Sequence, residues 1–407
     1  MKMPNCTDIV STKSLWEIAI EFLRHVDKNL MEYNLKLAYI VYLLCKAEHL
    51  SSKKTNLMVL LSCFNDIGKL HVRKNHSTPE VETYLFLKYF SPIKDFAAIL
   101  IDQNHKKLVK DGKTFFLAKE FTTFLVEQND KDQAFYCVDK RKCDPKDYKA
   151  LQKIVSKTNL EYELNSMHYK TIVYSLIRTM IFKSKERDDL LIMCSSLFEM
   201  YSIQTLYHSK VTAMIAYMIA KYSHLPKDIC AKIYMAGMVH DLGKVQVPLD
   251  ILEKPGKLTD DEYIIMKTHV KYTVELLTHN MDFDIVEIAG RHHERLDGYG
   301  YPNHIDGFHL TLPQEIMQVA DVISALIAKR SYKEAWSIDK TLAVLDENVK
   351  DNKLAIEPIE VFKDHQKKIL KASQKYMQRA DGVYDKINKE RDYLINEKHL
   401  GQNSKEA

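Results

Sequence analysis

Glycine is scarce in this chain, with 11 in 407 residues. Alternating strand patterns are almost absent. Long stretches rich in Leu, Ile, Lys, Glu and Ala recur, which favours helices joined by short loops. The seven cysteines (Cys6, Cys45, Cys63, Cys137, Cys143, Cys194, Cys230) are odd in number and scattered, with no CxxC pair. That excludes a disulfide framework and a zinc finger, and reads as reduced core thiols in a cytoplasmic protein. The opening MKMPNCTDIV lacks the apolar core of a signal peptide. No window approaches the roughly 18 apolar residues of a membrane span; even Leu190 to Ile203 is interrupted by Ser195, Ser196 and Glu199. The net charge of +4 is too mild for a binder of duplex nucleic acid. A small anionic substrate needs only a local basic pocket, so it stays open. No GxSxG-type nucleophile motif occurs.

What is present suffices for two or three cores, with 46% hydrophobic and 28% charged residues. Two segments repeat. Phe64-Asn65-Asp66-Ile67-Gly68-Lys69 resembles Val239-His240-Asp241-Leu242-Gly243-Lys244, Glu48-His49-Leu50 and Ser223-His224-Leu225 precede them at the same offset, and Gln103-Asn104-His105 corresponds roughly to Arg291-His292-His293. Three matches in one order point to an internal duplication of a helical domain. The fold class is all-α: a first domain over 1–126, a connector with a helical segment over 127–186 packing between the copies, a second domain over 187–350, and a C-terminal helix with a frayed tail over 351–407. Asp228 is placed to cap one helix of the second copy, Gly243 to end it, and Thr259 to start the next. Pro313 opens the helix carrying Asp321, and Pro358 starts the final helix, with Val361, Phe362, Ile369 and Leu370 on one stripe.

Histidines and aspartates of the second copy gather where helices end or begin. His224, His279, His304, His309 and His365 read as surface residues. The pair His240-Asp241 lies at a helix end, where imidazole and carboxylate can face one ion, and His292-His293 repeats the arrangement. Nitrogen and oxygen donors suit Fe, Mn, Ni, Co or Zn. With His208, His269 and Asp321 of the same copy they make five imidazoles and two carboxylates, more than one four-coordinate ion needs. They fit two divalent transition metal ions bridged by a carboxylate such as Asp241, with hydroxide rather than a side chain as nucleophile.

The run His292-His293-Glu294-Arg295-Leu296-Asp297-Gly298-Tyr299-Gly300-Tyr301-Pro302 resembles the HHExxDGxGYP signature of the HD-GYP family, the phosphodiesterase branch of the HD superfamily. His208, His240-Asp241, His269, Asp321 and Arg330-Ser331-Tyr332-Lys333 follow the family pattern in order, over about residues 187 to 350. The resemblance implies that His208, His240, Asp241 and Asp321 hold one metal and His269, His292 and His293 the other, with Asp241 bridging. It assigns Lys244 beside the scissile phosphate, Arg330 and Lys333 to phosphate or guanine, and Tyr301 to the substrate. Glu294 is expected to orient a ligating histidine. Gln204 stands where some members carry a glutamate for a third metal; an amide is a poor ligand, so two metals are expected.

By the same resemblance the first copy is a degenerate HD domain with packing, dimerisation or ligand sensing as its role. Asn65 stands for His240, Tyr33 or Asn34 for His208, Val81 for His269, Asn104 for His292 and Lys106 for Glu294; only Asp66 and His105 remain. The implied activity is hydrolysis of a cyclic dinucleotide, cyclic di-GMP to pGpG and on to GMP, in a bacterial signalling setting. The alternatives are hydrolysis of 3′,3′-cyclic GMP-AMP and a scaffold that binds a cyclic dinucleotide without cleaving it. A homodimer through helical surfaces is compatible with the sequence.

Overall fold

The computed structural model describes residues 12–70, 78–88, 90–101, 110–157, 159–183, 186, 189–190, 197, 203–327 and 336–403. Among the described residues all regular structure is helical. None of these helices is long and apolar enough to cross a membrane. The chain divides into two compact units, one of residues 27–193 with 389–407 and the other of residues 1–26 with 194–388.

This division differs from the expected one at both ends of the chain. Helix α1 (Thr12–Val26) belongs to the carboxy-terminal unit. It buries Leu15, Trp16, Ile18, Ala19, Phe22 and Leu23, a stripe too wide for a surface helix. The segment expected to be a connector belongs to the amino-terminal unit.

The amino-terminal unit contains α2 (Lys28–Ala47), α3 (Ser52–Cys63), a 3₁₀ turn (Ile67–Leu70), α4 (Pro79–Leu87), α5 (Lys94–Ala97), α6 (Lys110–Gln128), α7 (Lys131–Cys137), α8 (Pro145–Lys157), α9 (Leu160–Asn165) and α10 (His168–Arg178). Asp27 caps α2 by accepting from the Leu30 amide. Helix α2 is central: α3, α6, α8 and α10 pack on it, around Leu35, Leu37, Ala38, Ile40, Val41 and Leu44. Polar contacts bind α8–α10 to the same unit. The Thr114 hydroxyl donates to buried Asp147 at 2.7 Å, Tyr39 to Glu163 at 2.7 Å and Tyr169 to Glu32 at 2.8 Å.

The carboxy-terminal unit combines α1 with α11 (Ile203–Tyr222), α12 (Lys227–Val239), a 3₁₀ turn (Leu242–Gln246), α13 (Leu249–Leu252), α14 (Asp260–Thr278), α15 (Phe283–Gly290), α16 (Leu312–Ile327), α17 (Ile338–Lys350) and α18 (Ile356–Asn403) up to Asn388. Helices α12 and α16 pack on α11, and α15 on α12, α14 and α16. Thr259 starts α14 with a complete capping box to Glu262. Pro226, not Asp228, is the N-cap of α12; Asp228 sits in its first turn, where a carboxylate suits the helix dipole. Helix α18 starts two residues before Pro358, and Phe362 and Ile369 of its stripe are fully buried. The tail is not frayed at Asn388. It remains helical to Asn403 and is tied within the amino-terminal unit by Arg391, which donates to buried Glu82 at 2.5 and 3.0 Å, and by the Lys88–Glu390 pair.

One of the three repeated sequence features has the same backbone geometry in both units. After α2, His49 takes a left-handed φ of 56°, and after α11, His224 takes 57°. Each is followed by matching hydrogen bonds: Leu50 N to Cys45 O and His49 N to Lys46 O in one, Leu225 N to Ala220 O and His224 N to Lys221 O in the other. Both are Schellman caps, so the repeated histidine ends a helix and is not a ligand. The second, the hexad turn, is shared only in part: Asp66 takes a left-handed φ of 55° where Asp241 has −101°. The third, around Asn104-His105, lies outside the described residues, as do Lys106, Arg330 to Lys333 and the side chain of Gln204.

Candidate metal centre

The helix ends of the carboxy-terminal unit converge on two groups of side chains. His208, His240 and Asp241 form one, and His269, His292 and His293 the other; within each, one potential ligand atom per residue lies within 4.8 Å of the others. Asp241 stands between them. Its Oδ2 is 3.3 Å from His240 Nε2 and 3.6 Å from His208 Nε2. Its Oδ1 is 3.4 Å from His269 Nε2 and 3.9 Å from His292 Nε2. Asp321 joins the first group, with Oδ1 2.9 Å from His208 Nε2 and 3.6 Å from His240 Nε2, and reaches toward the second, with Oδ2 3.9 Å from His293 Nδ1. All seven residues expected to ligate metal from the sequence are therefore brought together.

The backbone fixes which ring nitrogen faces the cluster. His240 Nδ1 donates to Gly237 O, His269 Nδ1 to Met266 O and His292 Nδ1 to Ala289 O, each one helical turn back at 2.6–2.9 Å. That turns each Nε2 toward the carboxylates: at His269 and His292 it keeps its lone pair, and at His240 it would release its proton to a bound metal. His208 is held differently. Its Nδ1 lies 2.9 Å from Ser324 Oγ, which lies 2.5 Å from Thr212 Oγ1.

Two residues that sequence reasoning missed support the site. Ser324, one turn after Asp321, orients His208. Thr273, one turn after His269, accepts from the Gly243 amide at 2.8 Å and donates to the His240 carbonyl at 2.9 Å. The i+3 and i+4 offsets from the candidate ligands were the available signal. Gly243 was expected as a helix terminator; its role is instead close approach. Helix α12 ends at Val239, and a Cβ on Gly243 would meet His269 O at 1.9 Å. Glu294 does not orient a histidine. It is buried and accepts from the Asn303 and Ile305 amides at 2.7 and 3.0 Å, clamping the loop after the histidine pair. Tyr301 packs its ring 4.7 Å from that of His293, tilted by 35°. His365, expected on the surface, is half-buried and stacks on Tyr222 at 3.9 Å; His224, His279, His304 and His309 are exposed.

Charge in the cluster is uneven. Burial pushes His208 down, His292 well down, His269 down to about 3 and His293 to about 4, so these rings are neutral. Burial also penalises His240, but Asp241 and Asp321 outweigh it and raise His240 to about 10. Burial alone would raise both carboxyls; His240 and Lys244 hold Asp241 well below the usual range, and His208 and His240 do the same for Asp321. Lys244 Nζ is 2.5 Å from Asp241 Oδ2. The donor set fits a resident cation: His240 Nε2 and Asp241 Oδ1 are buried without a hydrogen-bond partner, which folding tolerates poorly unless another group satisfies them.

Residues 192–354 match the family model of the HD domain. This segment is an HD domain. The chain is 30% identical over 237 residues to 3′3′-cGAMP-specific phosphodiesterase 1 of Vibrio cholerae, covering 56% of this chain and 53% of that one. It is 43% identical over 134 residues to the cyclic di-GMP phosphodiesterase response regulator RpfG of Xanthomonas campestris, covering 32% of this chain and 35% of that one. It thus spans about half, or less, of the length of these relatives, which are HD-GYP cyclic dinucleotide phosphodiesterases. In fold it resembles the crystal structure of the cyclic GMP-AMP-specific phosphodiesterase V-cGAP3 of V. cholerae, with a TM-score of 0.56 at 18% identity over 87% of this chain and 97% of that one.

The hexad turn of the HD domain has a counterpart in the amino-terminal unit. There Thr83 accepts from the Gly68 amide at 2.9 Å, as Thr273 does from Gly243. A Cβ on Gly68 would meet Pro79 O at 2.1 Å, as one on Gly243 would meet His269 O. Pro79, not the expected Val81, therefore stands where His269 stands. Asn65 is fully buried in the position of His240, and neither of its amide atoms has a partner. The residue facing Asp66 is Lys119 of α6, whose Nζ is 2.8 Å from Asp66 Oδ1; Lys69 Nζ is 3.2 Å from Oδ2. Tyr33 bonds Thr123 on α6 at 3.0 Å, and Asn34 donates to the carbonyls of Cys63 and Asn65.

Proposed function

We propose that the chain is a metal-dependent phosphodiesterase that opens a cyclic dinucleotide, with cyclic di-GMP as substrate and pGpG as first product. The observation that carries this is Asp241, which turns one oxygen toward His208 and His240 and the other toward His269 and His292. In this reading His208, His240, Asp241 and Asp321 would hold one divalent transition metal ion, and His269, His292 and His293 with the other oxygen of Asp241 a second. Bound ions would activate water for attack on phosphorus and neutralise the phosphodiester. The chain's own residues do the rest. The Nδ1 bonds hold the rings in the ligating tautomer, and Lys244, already on Asp241, is placed to take a phosphate oxygen as charge builds. Tyr301 beside His293 supplies a stacking face for a base. Arg330 and Lys333 are assigned to substrate from the sequence pattern alone. The amino-terminal unit is read as a degenerate copy without metal chemistry, because Asn65, Pro79 and Lys119 offer no ligand set.

A second substrate, 3′,3′-cyclic GMP-AMP, is favoured by one observation: the match to the V. cholerae enzyme named for it runs over 237 residues, beyond the HD domain itself. Metal analysis together with turnover of both cyclic dinucleotides tests these readings. Stoichiometric metal with hydrolysis of neither would sink the enzyme reading and leave the binding scaffold.

A further inference from the structure

Among the described residues the ligand cluster is open at one side chain. His293 is 30% exposed, whereas the side chains of His208, His240, Asp241, His269, His292 and Asp321 are at most 10% exposed. Substrate must therefore enter past His293. Tyr301 flanks that entrance, and next to it α14 presents two further side chains. The Tyr263 ring stands edge-on to Tyr301 at 6.4 Å and 84°. Lys267, one helical turn on, places its ammonium 5.1 Å from the Tyr263 ring centre and 5.8 Å from that of Tyr301. Tyr263 is 47% exposed, unusual for an aromatic side chain this close to a buried cluster. Among the described residues no carboxylate pairs with Lys267.

We infer that Tyr263 and Lys267 form the outer half of the substrate site, Tyr263 stacking a nucleobase and Lys267 holding the phosphate that is not being cleaved. This rests on the cyclic dinucleotide reading above. A cyclic dinucleotide carries two phosphates and two bases on one ring, so with one phosphate at the metals the second half must lie outward. An exposed aromatic face and an unneutralised cation are the two groups that half requires. A cation over two aromatic faces is also pre-positioned, so little side-chain freedom is lost on binding.

The test compares Tyr263→Ala, Tyr263→Phe, Lys267→Ala and Lys267→Arg, each with its metal content checked. Steady-state kinetics are measured on the better cyclic dinucleotide and on methyl p-nitrophenyl phosphate, a diester without a second half. The expected result is a KM for the dinucleotide raised about tenfold by either Ala variant, in line with one stacking or ion-pair contact, with kcat changed less than twofold. The Phe and Arg variants restore most of the affinity, and the loss on the small diester is at least fivefold smaller. Unchanged KM, or equal losses on both substrates, overturns the inference while wild-type dinucleotide turnover still stands. A wild-type protein that cleaves only the small diester refutes the dinucleotide reading, and this inference with it.

Discussion

Lys119 Nζ lies 2.8 Å from Asp66 Oδ1, at the place in the amino-terminal unit where the HD domain gathers imidazoles round Asp241. Both carboxylates face the lysine of their own hexad; beyond that, one unit adds a second ammonium and the other a ligand cluster. Burial pushes the Asp66 carboxyl up, but Lys119 and Lys69 pull it below its ordinary value. A depressed folded-state pKa means stability that is present above the unfolded value of about 3.9 and lost as pH falls through the folded one. Lys119→Met should cost the amino-terminal unit about 2 kcal/mol, discounted for partial exposure and for the remaining Lys69. Asp66→Asn with Lys119→Met should recover most of it. Denaturant melts from pH 7 to 3 check this, and a single Asp66→Asn variant with unchanged acid sensitivity would contradict it.

Removing the ligand pair separates the units by chemistry. His240→Ala with Asp241→Ala should abolish both metal content and turnover. Asn65→Ala should leave turnover nearly intact. Elemental analysis and a hydrolysis assay read both, and equal losses would refute the assignment of one competent unit.

Ser324 is a positioning residue for His208. Ser324→Ala should lower metal affinity by about tenfold or more, as loss of an outer-shell partner commonly does. A metal titration monitored against circular dichroism distinguishes this from unfolding; unaltered affinity would free His208 from dependence on Ser324.

Glu294 ties down the loop bearing Tyr301 with two amide bonds. Glu294→Gln keeps one acceptor and points its amide NH2, a donor, at the other N–H. Stability should fall by about 2 kcal/mol, and KM should rise with metal content retained. A variant with wild-type stability would show that the clamp is not under load.

Gly243→Ala drives a methyl into the His269 carbonyl. The cost should be about 3 kcal/mol to the carboxy-terminal unit, with loss of metal because His269 shifts. Hydrogen exchange resolved along the chain would localise the effect to α14 and the turn before it.

The helical class and the clustering of the seven candidate ligands were legible because each leaves a short-range trace. Helix periodicity, the hexad, and the adjacent His-Asp and His-His pairs are local in the chain. The His-Leu repeats were legible as repeats but not as Schellman caps, since the sign of φ at His49 and His224 is a backbone property. Pro79 was misread as Val81 because counting along the chain cannot see which residue approaches Gly68. Glu294 was given to a histidine because its partners, the amides of Asn303 and Ile305, return to it only once the loop folds back. The residues thus determined which chemistry is available, through the donor atoms they place at helix ends. Only the tertiary structure decided that Asp241 shows one oxygen to each group, that Lys119 neutralises Asp66, and that α1 joins the unit at the other end of the chain. Those depend on contacts between residues far apart in sequence, whose energies come from burial that no local pattern records.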